Sequence, residues 1–168
     1  MFVLISGKAR SGKDYLANLI KNFSFRQISF ASHLKDLAST NYNINRKLFE
    51  SQEGKASFIN GKMVRDYLID LAAIYREKDD NYFARTAFSS VSPGEHIVVS
   101  DFRYPSEYNF IRENFPDEKI VTIRVSRKSE LNIDSPSEKA LDLFVFDYHL
   151  DNASSRELVT FILNSLKK

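Results

Sequence analysis

The sequence predicts an α/β fold of three layers, in which a five-stranded parallel sheet carries helices on both faces. Two observations support this prediction. Short apolar runs alternate with helical patterns along the chain, and 168 residues with 43% hydrophobic and 27% charged residues are enough for one compact core. Successive parallel strands require crossover helices, which cover the sheet. We therefore expect a single domain over residues 1–168.

Two strand and helix pairs are predicted at the start of the chain. Phe2–Ser6 is a short, continuous apolar run, which is typical of a strand that is buried on both faces. Residues 15–23 then carry apolar side chains at helical spacing, and residues 25–31 predict a second strand. Ser32 is a suitable N-cap, so the next helix is expected over residues 33–39.

The middle of the chain is predicted to be mainly helical. Asparagines and a glycine interrupt any regular pattern between residues 40 and 60, where only a short helix near 46–50 is indicated. Apolar residues over 64–75 mark one face of a longer helix. Another helix is expected over residues 82–91, so residues 40–92 form a helical region.

The second half of the chain returns to alternating strands and helices. Residues 96–100 contain Ile-Val-Val and are the best candidate for a central strand. Residues 119–125 and 147–150 predict two further strands, which brings the total to five. The helices expected between and after these strands cover residues 105–115, 138–144 and 154–166.

A phosphate-binding loop lies between the first strand and the first helix. Residues 7–14 read G-x-x-x-x-G-K, the Walker A pattern, with Asp14 where Ser or Thr is usual. Glycines let several backbone N–H groups point at one anion, and the helix N-terminus adds partial positive charge. A glycine-rich turn with an acidic helix start is the alternative, but the order of strand, loop and helix favours a P-loop NTPase fold. The residues expected to bind ATP are Gly7, Lys8, Arg10, Ser11, Gly12, Lys13, Asp14 and Tyr15.

Two carboxylates are candidates for holding Mg²⁺. Asp14 can bind the ion directly or through water, while Lys13 is expected to bridge the β- and γ-phosphates. Asp101 ends the predicted strand 96–100, which is the usual place for the Mg²⁺-linked acid of a P-loop enzyme. Ligands bind at the carboxyl edge of a parallel sheet, so both carboxylates are expected to face one crevice. The alternative for Asp101 is a carboxylate that only caps a turn.

Cations further along the chain are candidates for holding a second, phosphorylated substrate. Arg103 suits a bidentate phosphate clamp, but Arg103 and Glu107 equally suit a helix-start ion pair without chemistry. Lys35 and Arg65 lie on predicted helices, where such side chains are usually solvated. All four residues are carried as substrate-binding candidates, and residues 40–92 are interpreted as the substrate side.

Residues 126–139 are polar and irregular and are interpreted as a lid. Phosphoryl transfer needs cations around the moving phosphate, and a mobile lid brings them in while it excludes water. Arg127 is expected to act there, and it completes a catalytic set with Lys13 and Asp101. Arg124 lies inside the strand pattern and is interpreted as structural.

Composition excludes several classes of function. The formal net charge of +2 and the pI of about 8.7 are too mild to favour a nucleic-acid or membrane-surface partner. The absence of cysteine removes disulfides, thiolate metal sites and cysteine nucleophiles. No apolar run reaches membrane-spanning length and no secretory leader is evident, so a cytoplasmic protein is expected. A homodimer is left open.

These motifs together resemble the P-loop deoxynucleoside monophosphate kinases of phages and bacteria, and also the animal-type phosphomevalonate kinases. Ser6–Asp14 matches S-G-K-x-x-S-G-K-D, including the Asp in place of a hydroxyl residue. Residues 99–107 resemble the nucleotide kinase segment sDxRxxNE, with Ser106 in place of Asn. Residues 146–152 resemble the last strand, and the resemblance implies that Asn152 lies near the ATP base.

The resemblance implies an ATP- and Mg²⁺-dependent phosphotransferase on a nucleoside monophosphate kinase-like fold. The arrangement of Arg103 and Glu107 favours a deoxynucleoside 5′-monophosphate as acceptor, with Tyr82 and Phe83 as candidates for an apolar slot around the base. A phosphomevalonate kinase is the first alternative, because both acceptors carry a phosphate. A nucleotide-binding regulatory or assembly protein without catalysis is the alternative of a different class.

Overall fold

The computed structural model describes residues 1–127, 136–151, 160 and 164. Within these residues the chain forms two compact units. The first unit combines residues 1–29 with the described residues from 91 onward, and the second comprises residues 30–90. The first unit contains the large sheet, and the second is mainly helical.

The large sheet has five strands in the order β2-β5-β1-β6-β7, and every neighbouring pair is parallel. The strands are β1 (Phe2–Ser6), β2 (Arg26–Ile28), β3 (Phe58–Ile59), β4 (Lys62–Met63), β5 (Ile97–Val99), β6 (Ile120–Val125) and β7 (Tyr148–Leu150), of which β3 and β4 form a separate hairpin. The registers place Leu4 opposite Val99 on one side and Ser6 opposite Arg124 on the other. This architecture confirms the predicted α/β fold with five parallel strands.

Helices connect the strands, as parallel pairing requires. They are α1 (Lys13–Lys21), α2 (Ala31–Tyr42), α3 (Gln52–Ala56), α4 (Val64–Lys78), α5 (Tyr82–Phe88), α6 (Pro105–Asn114) and α7 (Pro136–Lys139), with a 3₁₀ turn at Arg46–Phe49. Among the described residues, no helix combines the length and the apolar character needed to cross a membrane.

Strand β1 lies at the centre of the core because both of its faces are covered. All five of its residues are buried. Val3 and Ile5 share a core cluster with Leu16 and Ile20 of α1. The alternate residue Phe2 points to the other face, where its ring meets Phe115 edge to face at 5.2 Å between centroids. A strand buried on both faces needs a continuous apolar run, which is the pattern that predicted it.

The second unit contains a hairpin that the sequence analysis did not predict. Strands β3 and β4 are antiparallel, with Phe58 opposite Met63 and Ile59 opposite Lys62. The two-residue turn between them is Asn60-Gly61, and both residues have positive φ, 51° and 76°. This is the backbone that a tight hairpin turn demands, and Asn-Gly is the dipeptide that favours it.

Two predicted helices differ from the observed ones. Helix α2 begins at Ala31, so Ser32 lies inside the helix and the predicted N-cap is wrong; Phe30 occupies the cap position with helical φ and ψ of −62° and −38°. The helix predicted over 138–144 is also wrong, since α7 ends at Lys139. Beyond it the backbone makes separate turns, with N–H groups of Asp142 and Phe144 bonded three residues back.

Replacing Leu16 with alanine should lower the free energy of unfolding by about 2–5 kcal/mol, because the side chain is fully buried between α1 and the sheet. The midpoint of urea unfolding measures this loss. Asn18→Ala is the matched control on the exposed side of the same helix and should change stability by less than about 0.5 kcal/mol. Equal effects of the two substitutions would contradict this placement of the core.

Candidate functional site

The phosphate-binding loop leaves β1 through a glycine that has no room for a side chain. A Cβ on Gly7 would lie 2.4 Å from the carbonyl oxygen of Val125 and 2.4 Å from Ser11 Oγ. Further along, Gly12 has φ of 101° at the start of α1, and Arg10 has φ of 67°. Left-handed backbone is easy for glycine and uncommon for arginine, so the loop holds a specific conformation.

Lys13 lies across this loop rather than out in solvent. Its Nζ donates to the backbone carbonyl of Lys8 at 3.0 Å, and the residue is 9% exposed. The N–H of Ser11 bonds the same carbonyl at 3.1 Å and closes a turn. An ammonium held over a loop of backbone N–H groups, at the N-terminus of a nine-residue helix, is an arrangement that suits an anion; the role of Lys13 in binding ATP stays a prediction.

The Asp14 side chain is held by Ser100, the residue that directly follows strand β5. Its Oδ1 accepts a hydrogen bond from Ser100 Oγ at 2.8 Å, and Ser100 Oγ in turn accepts one from Gln27 Nε2 at 3.3 Å. Asp14 is exposed in the first turn of α1, while Ser100 is 5% exposed directly after β5. The carboxylate is therefore fixed from the protein side and open on the solvent side.

Asp101 lies next to Ser100 at the same edge of the sheet. Its Oδ2 accepts a hydrogen bond from Ser29 Oγ at 2.7 Å. Strands β1, β2 and β5 are parallel neighbours, so the residues that follow them meet at one carboxyl edge. Since Ser100 bonds Asp14, both predicted metal carboxylates are anchored at this edge. That they face one crevice and hold a metal stays a prediction.

The chemistry of this set of donors fits Mg²⁺ bound together with a nucleotide. Among the described residues, no three His, Cys, Asp or Glu side chains are grouped so that they alone hold a metal ion. Magnesium is usually held by one or two carboxylates and completed by substrate phosphates and water. Asp14 and Asp101, with phosphates on the adjoining loop, meet this requirement.

Glu107 serves the backbone of the segment that follows Asp101. It is 2% exposed, and its Oε2 accepts the N–H groups of Arg103 at 2.8 Å and of Tyr104 at 3.1 Å. This arrangement satisfies backbone N–H groups at the start of α6, which is a structural role for Glu107 through the backbone. Arg103 reaches α7, where Nη1 donates to the Ser137 carbonyl at 3.5 Å. The substrate roles of Arg103 and Glu107 stay predictions.

The two arginines of the β6 end differ in their surroundings. Arg124 donates to Ser6 Oγ at 3.1 Å, forms an ion pair with Asp142 at 3.2 Å and lies 5.6 Å from the centre of the Phe146 ring. These contacts agree with a structural role. Arg127 is exposed, and of the predicted lid over residues 126–139 the structure describes 126–127 and 136–139. Its catalytic role therefore stays a prediction.

The acceptor candidates of the second unit make contacts within that unit. Lys35 pairs with Glu50 at 2.7 Å, and Arg65 donates to Gln52 Oε1 at 2.8 Å. Tyr82 meets the ring of Phe83 at 5.2 Å, and Phe83 is only 2% exposed. The ring of Phe83 thus belongs to the core of this unit, which is a correction to its predicted place in an open slot. The roles of the other three stay predictions.

Two further candidates complete the set. Tyr15, next to Asp14, is 53% exposed, so its ring is accessible beside the loop. Asn152 lies outside the described residues.

Sequence reasoning missed Gln27, Ser29 and Ser100, the polar residues that hold the two carboxylates. One signal was available, because Ser29 and Ser100 both lie at the carboxyl ends of strands that meet at one edge. Which hydroxyl meets which carboxylate depends on strand order and register, and neither was derived from the sequence.

Comparison with known proteins identifies similar chains. A family model described as Phosphomevalonate kinase matches residues 5–117, which include the P-loop and the segment from Asp101 to Glu107. A phosphomevalonate kinase from Drosophila melanogaster is 26% identical over 174 residues, covering 93% of this chain and 89% of its own length. These matches agree with the second of the two resemblances, whereas the assignment to the deoxynucleoside monophosphate kinases is not confirmed.

A solved structure supports the fold. A putative kinase from Chloroflexus aurantiacus superposes with a TM-score of 0.55 at 13% identity, covering 99% of this chain and 95% of that one. At this identity the likeness speaks for the fold alone.

Replacing Glu107 with alanine should destabilise the protein by about 1–3 kcal/mol, since two backbone N–H groups lose their acceptor in a buried place. Glu107→Gln keeps an acceptor oxygen and should recover much of this loss. Urea unfolding compares both with Glu113→Ala on the exposed side of α6. If Glu107→Ala unfolds at the wild-type midpoint, the residue has no role in holding the backbone.

Proposed function

We propose that this chain, which belongs to the phosphomevalonate kinase family, transfers the γ-phosphoryl group of ATP to the phosphate of a small phosphorylated acceptor. Phosphomevalonate is the first candidate acceptor. The observation that carries the proposal is the joint anchoring of Asp14 and Asp101 beside the Lys13 loop, all within the family match. A loop and two carboxylates at one sheet edge suit phosphoryl transfer better than simple anion binding.

The P-loop would bind and orient the phosphates of ATP. Backbone N–H groups between Gly7 and Lys13 cradle the β-phosphate, and the Lys13 ammonium exchanges its bond to the Lys8 carbonyl for phosphate oxygens. Asp14 and Asp101 would hold Mg²⁺. When bound, the metal supplies positive charge to the β- and γ-phosphates.

The reaction needs no protein nucleophile. A phosphate oxygen of the acceptor forms a bond to the γ-phosphorus while the bond from that phosphorus to the β,γ-bridging oxygen breaks. The electron pair of the broken bond stays on ADP, and the acceptor becomes a diphosphate. The protein contributes by aligning the two oxygens and by neutralising charge.

Arginines and lysines would hold the acceptor phosphate and the moving phosphoryl group. Arg103 follows Asp101 at the sheet edge and is half-buried, so it suits a fixed phosphate clamp. Arg127 is exposed at the start of the predicted lid and suits charge stabilisation during transfer. Lys35 and Arg65 of the second unit are further candidates for the acceptor.

A deoxynucleoside monophosphate remains the alternative acceptor. Both it and phosphomevalonate are phosphate monoesters, and a phosphate clamp does not distinguish between them. Family membership favours phosphomevalonate, and the burial of Phe83 removes one of the two rings proposed for a base.

Coupled measurement of ADP release with ATP and Mg²⁺ should show strong stimulation by phosphomevalonate in a panel that also contains dNMPs and NMPs. The reason is that acceptor-dependent transfer requires a phosphate in the clamp and the correct group behind it. Lys13→Ala is the negative control, because this variant lacks the ammonium group that would bind the phosphates of ATP.

Each other outcome changes a different part of the proposal. Stimulation by dNMPs alone would keep the mechanism and replace the acceptor. ATP hydrolysis without any acceptor dependence would favour a regulatory or assembly protein. Undiminished turnover by Lys13→Ala would reject the P-loop mechanism.

Substituting Arg103 with alanine should raise the KM for the acceptor by about tenfold or more and leave the KM for ATP within about twofold, because a charge-assisted contact to the acceptor is lost. Arg112→Ala, an exposed arginine on α6, is the matched control. Initial rates against both substrates give the two KM values. A larger change in the KM for ATP would place Arg103 on the nucleotide side instead.

A further inference from the structure

We infer that Ser100 is a positioning residue for the Asp14 carboxylate and that Gln27 orients the Ser100 hydroxyl. The inference rests on the proposed binding of ATP and Mg²⁺ by the P-loop and deepens it. It concerns the step that precedes chemistry, the capture of the metal with the nucleotide.

The three side chains form a directed chain of hydrogen bonds. Gln27 Nε2 donates to Ser100 Oγ at 3.3 Å, and Ser100 Oγ donates to Asp14 Oδ1 at 2.8 Å. Gln27 lies on β2, Ser100 directly follows β5, and Asp14 is in the first turn of α1. These two hydrogen bonds thus link the edge strand β2, the end of the inner strand β5 and helix α1.

The direction of the chain follows from the groups themselves. A glutamine amide nitrogen can only donate, so the Ser100 oxygen must accept from it. An ionised carboxylate can only accept, so the single Ser100 proton points to Asp14. Accepting one bond makes the hydroxyl a better donor for the next, because neighbouring hydrogen bonds polarise each other.

Burial makes this contact persistent. Ser100 is 5% exposed, so breaking its bond to Asp14 would leave a hydroxyl without full partners in a poorly solvated place. Asp14, by contrast, is exposed. The buried serine therefore holds an exposed carboxylate from behind.

This support answers a difficulty that Asp14 creates. A serine or threonine at this position of a P-loop reaches the metal with an oxygen on Cβ. An aspartate carries its oxygens one atom further out, and its carboxylate turns about an additional bond. Fixing Oδ1 restricts that freedom and leaves Oδ2, which has no hydrogen-bond partner among the described residues, available to a ligand.

Asp101 shows the same design. Its Oδ2 accepts from Ser29 Oγ at 2.7 Å, and Ser29 follows β2 as Ser100 follows β5. Outer groups that orient a metal ligand commonly change metal affinity about 10–100-fold when they are removed.

Binding of Mn²⁺ in the presence of ADP, followed by electron paramagnetic resonance of the free ion, tests the inference without any acceptor. Ser100→Ala should weaken Mn²⁺ binding by about tenfold or more. The affinity of this variant for ADP in the absence of metal should stay within about twofold of the wild-type value. Ser100→Thr keeps the hydroxyl and should restore most of the affinity. Gln27→Met should weaken it by about threefold, since only the orienting donor is lost.

Thr122→Val is the matched control. It also removes a hydroxyl bond to a carboxylate, that of Thr122 Oγ1 to Asp147 Oδ2 at 2.8 Å, in the amino-terminal half of β6, whereas the loop lies at the carboxyl end of that strand. It should leave Mn²⁺ binding unchanged. If Ser100→Ala does not fold, as judged by circular dichroism, the Gln27→Met and Ser100→Thr variants carry the test.

The outcomes separate this inference from the proposed function. If the wild-type protein binds Mn²⁺ with ADP and Ser100→Ala binds it equally well, the inference is overturned and the kinase proposal stays intact. Gln27→Met takes the place of Ser100→Ala in this comparison if Ser100→Ala does not fold. Suppose instead that these variants bind Mn²⁺ more weakly but no acceptor in the panel stimulates ADP release by the wild-type protein. That result would support the inference and reject the proposed acceptor. If the wild-type protein binds no Mn²⁺ with ADP, both are rejected.

Discussion

The close approach of Gly7 to the carbonyl oxygen of Val125 is the constraint on which the candidate site depends. Strands β1 and β6 are paired up to Ser6 and Arg124, and the chain then turns across the end of β6 with no space for a Cβ. Any side chain at residue 7 would push the loop away from the sheet. The direction of α1, the placing of Lys13 over the loop and the position of Asp14 follow from this turn.

Around the loop, the less exposed polar residues make hydrogen bonds, and two of the charged residues are exposed to solvent. Buried or half-buried groups, namely Ser100, Gln27 and Ser29, make the hydrogen bonds that fix direction, while the charged groups Asp14 and Arg127 are exposed. Glu107 fits this division, because a fully buried carboxylate is used to satisfy backbone N–H groups. These hydrogen bonds hold the two carboxylates in place in advance, which is the preorganisation that the proposed binding of ATP and Mg²⁺ would use.

The sequence was sufficient for the parts of the fold that depend on local patterns. The run Phe2–Ser6 and the glycines of the following loop predicted strand, loop and helix in the right order, because a doubly buried strand and a glycine-rich loop leave strong local signals. The Asn60-Gly61 hairpin also had a local signal, but its strands have only two residues each and show no alternation.

What could not be predicted depends on contacts between distant segments. The bonds from Gln27 to Ser100 and from Ser29 to Asp101 depend on the register of β2 with β5, which places Ile28 opposite Val99. The burial of Phe83 likewise follows from packing within its unit, since a ring next to Tyr82 looks equally suited to a slot or to a core. The acceptor is harder still, because a cation that binds phosphate carries no information about the rest of the molecule.

The insertion of residues 30–90 between two paired strands has a consequence for how such a chain can change over evolutionary time. Strand β2 pairs with β5 across the whole second unit, so the sheet closes a long loop whatever that unit contains. The entropy of closing a loop grows only with the logarithm of its length, by about 0.6 kcal/mol for each doubling. Residues can therefore be gained, lost or exchanged in this unit at small cost to the sheet. Under the proposal that this unit contributes to acceptor binding, acceptor preference can diverge there while the loop between β1 and α1 stays fixed.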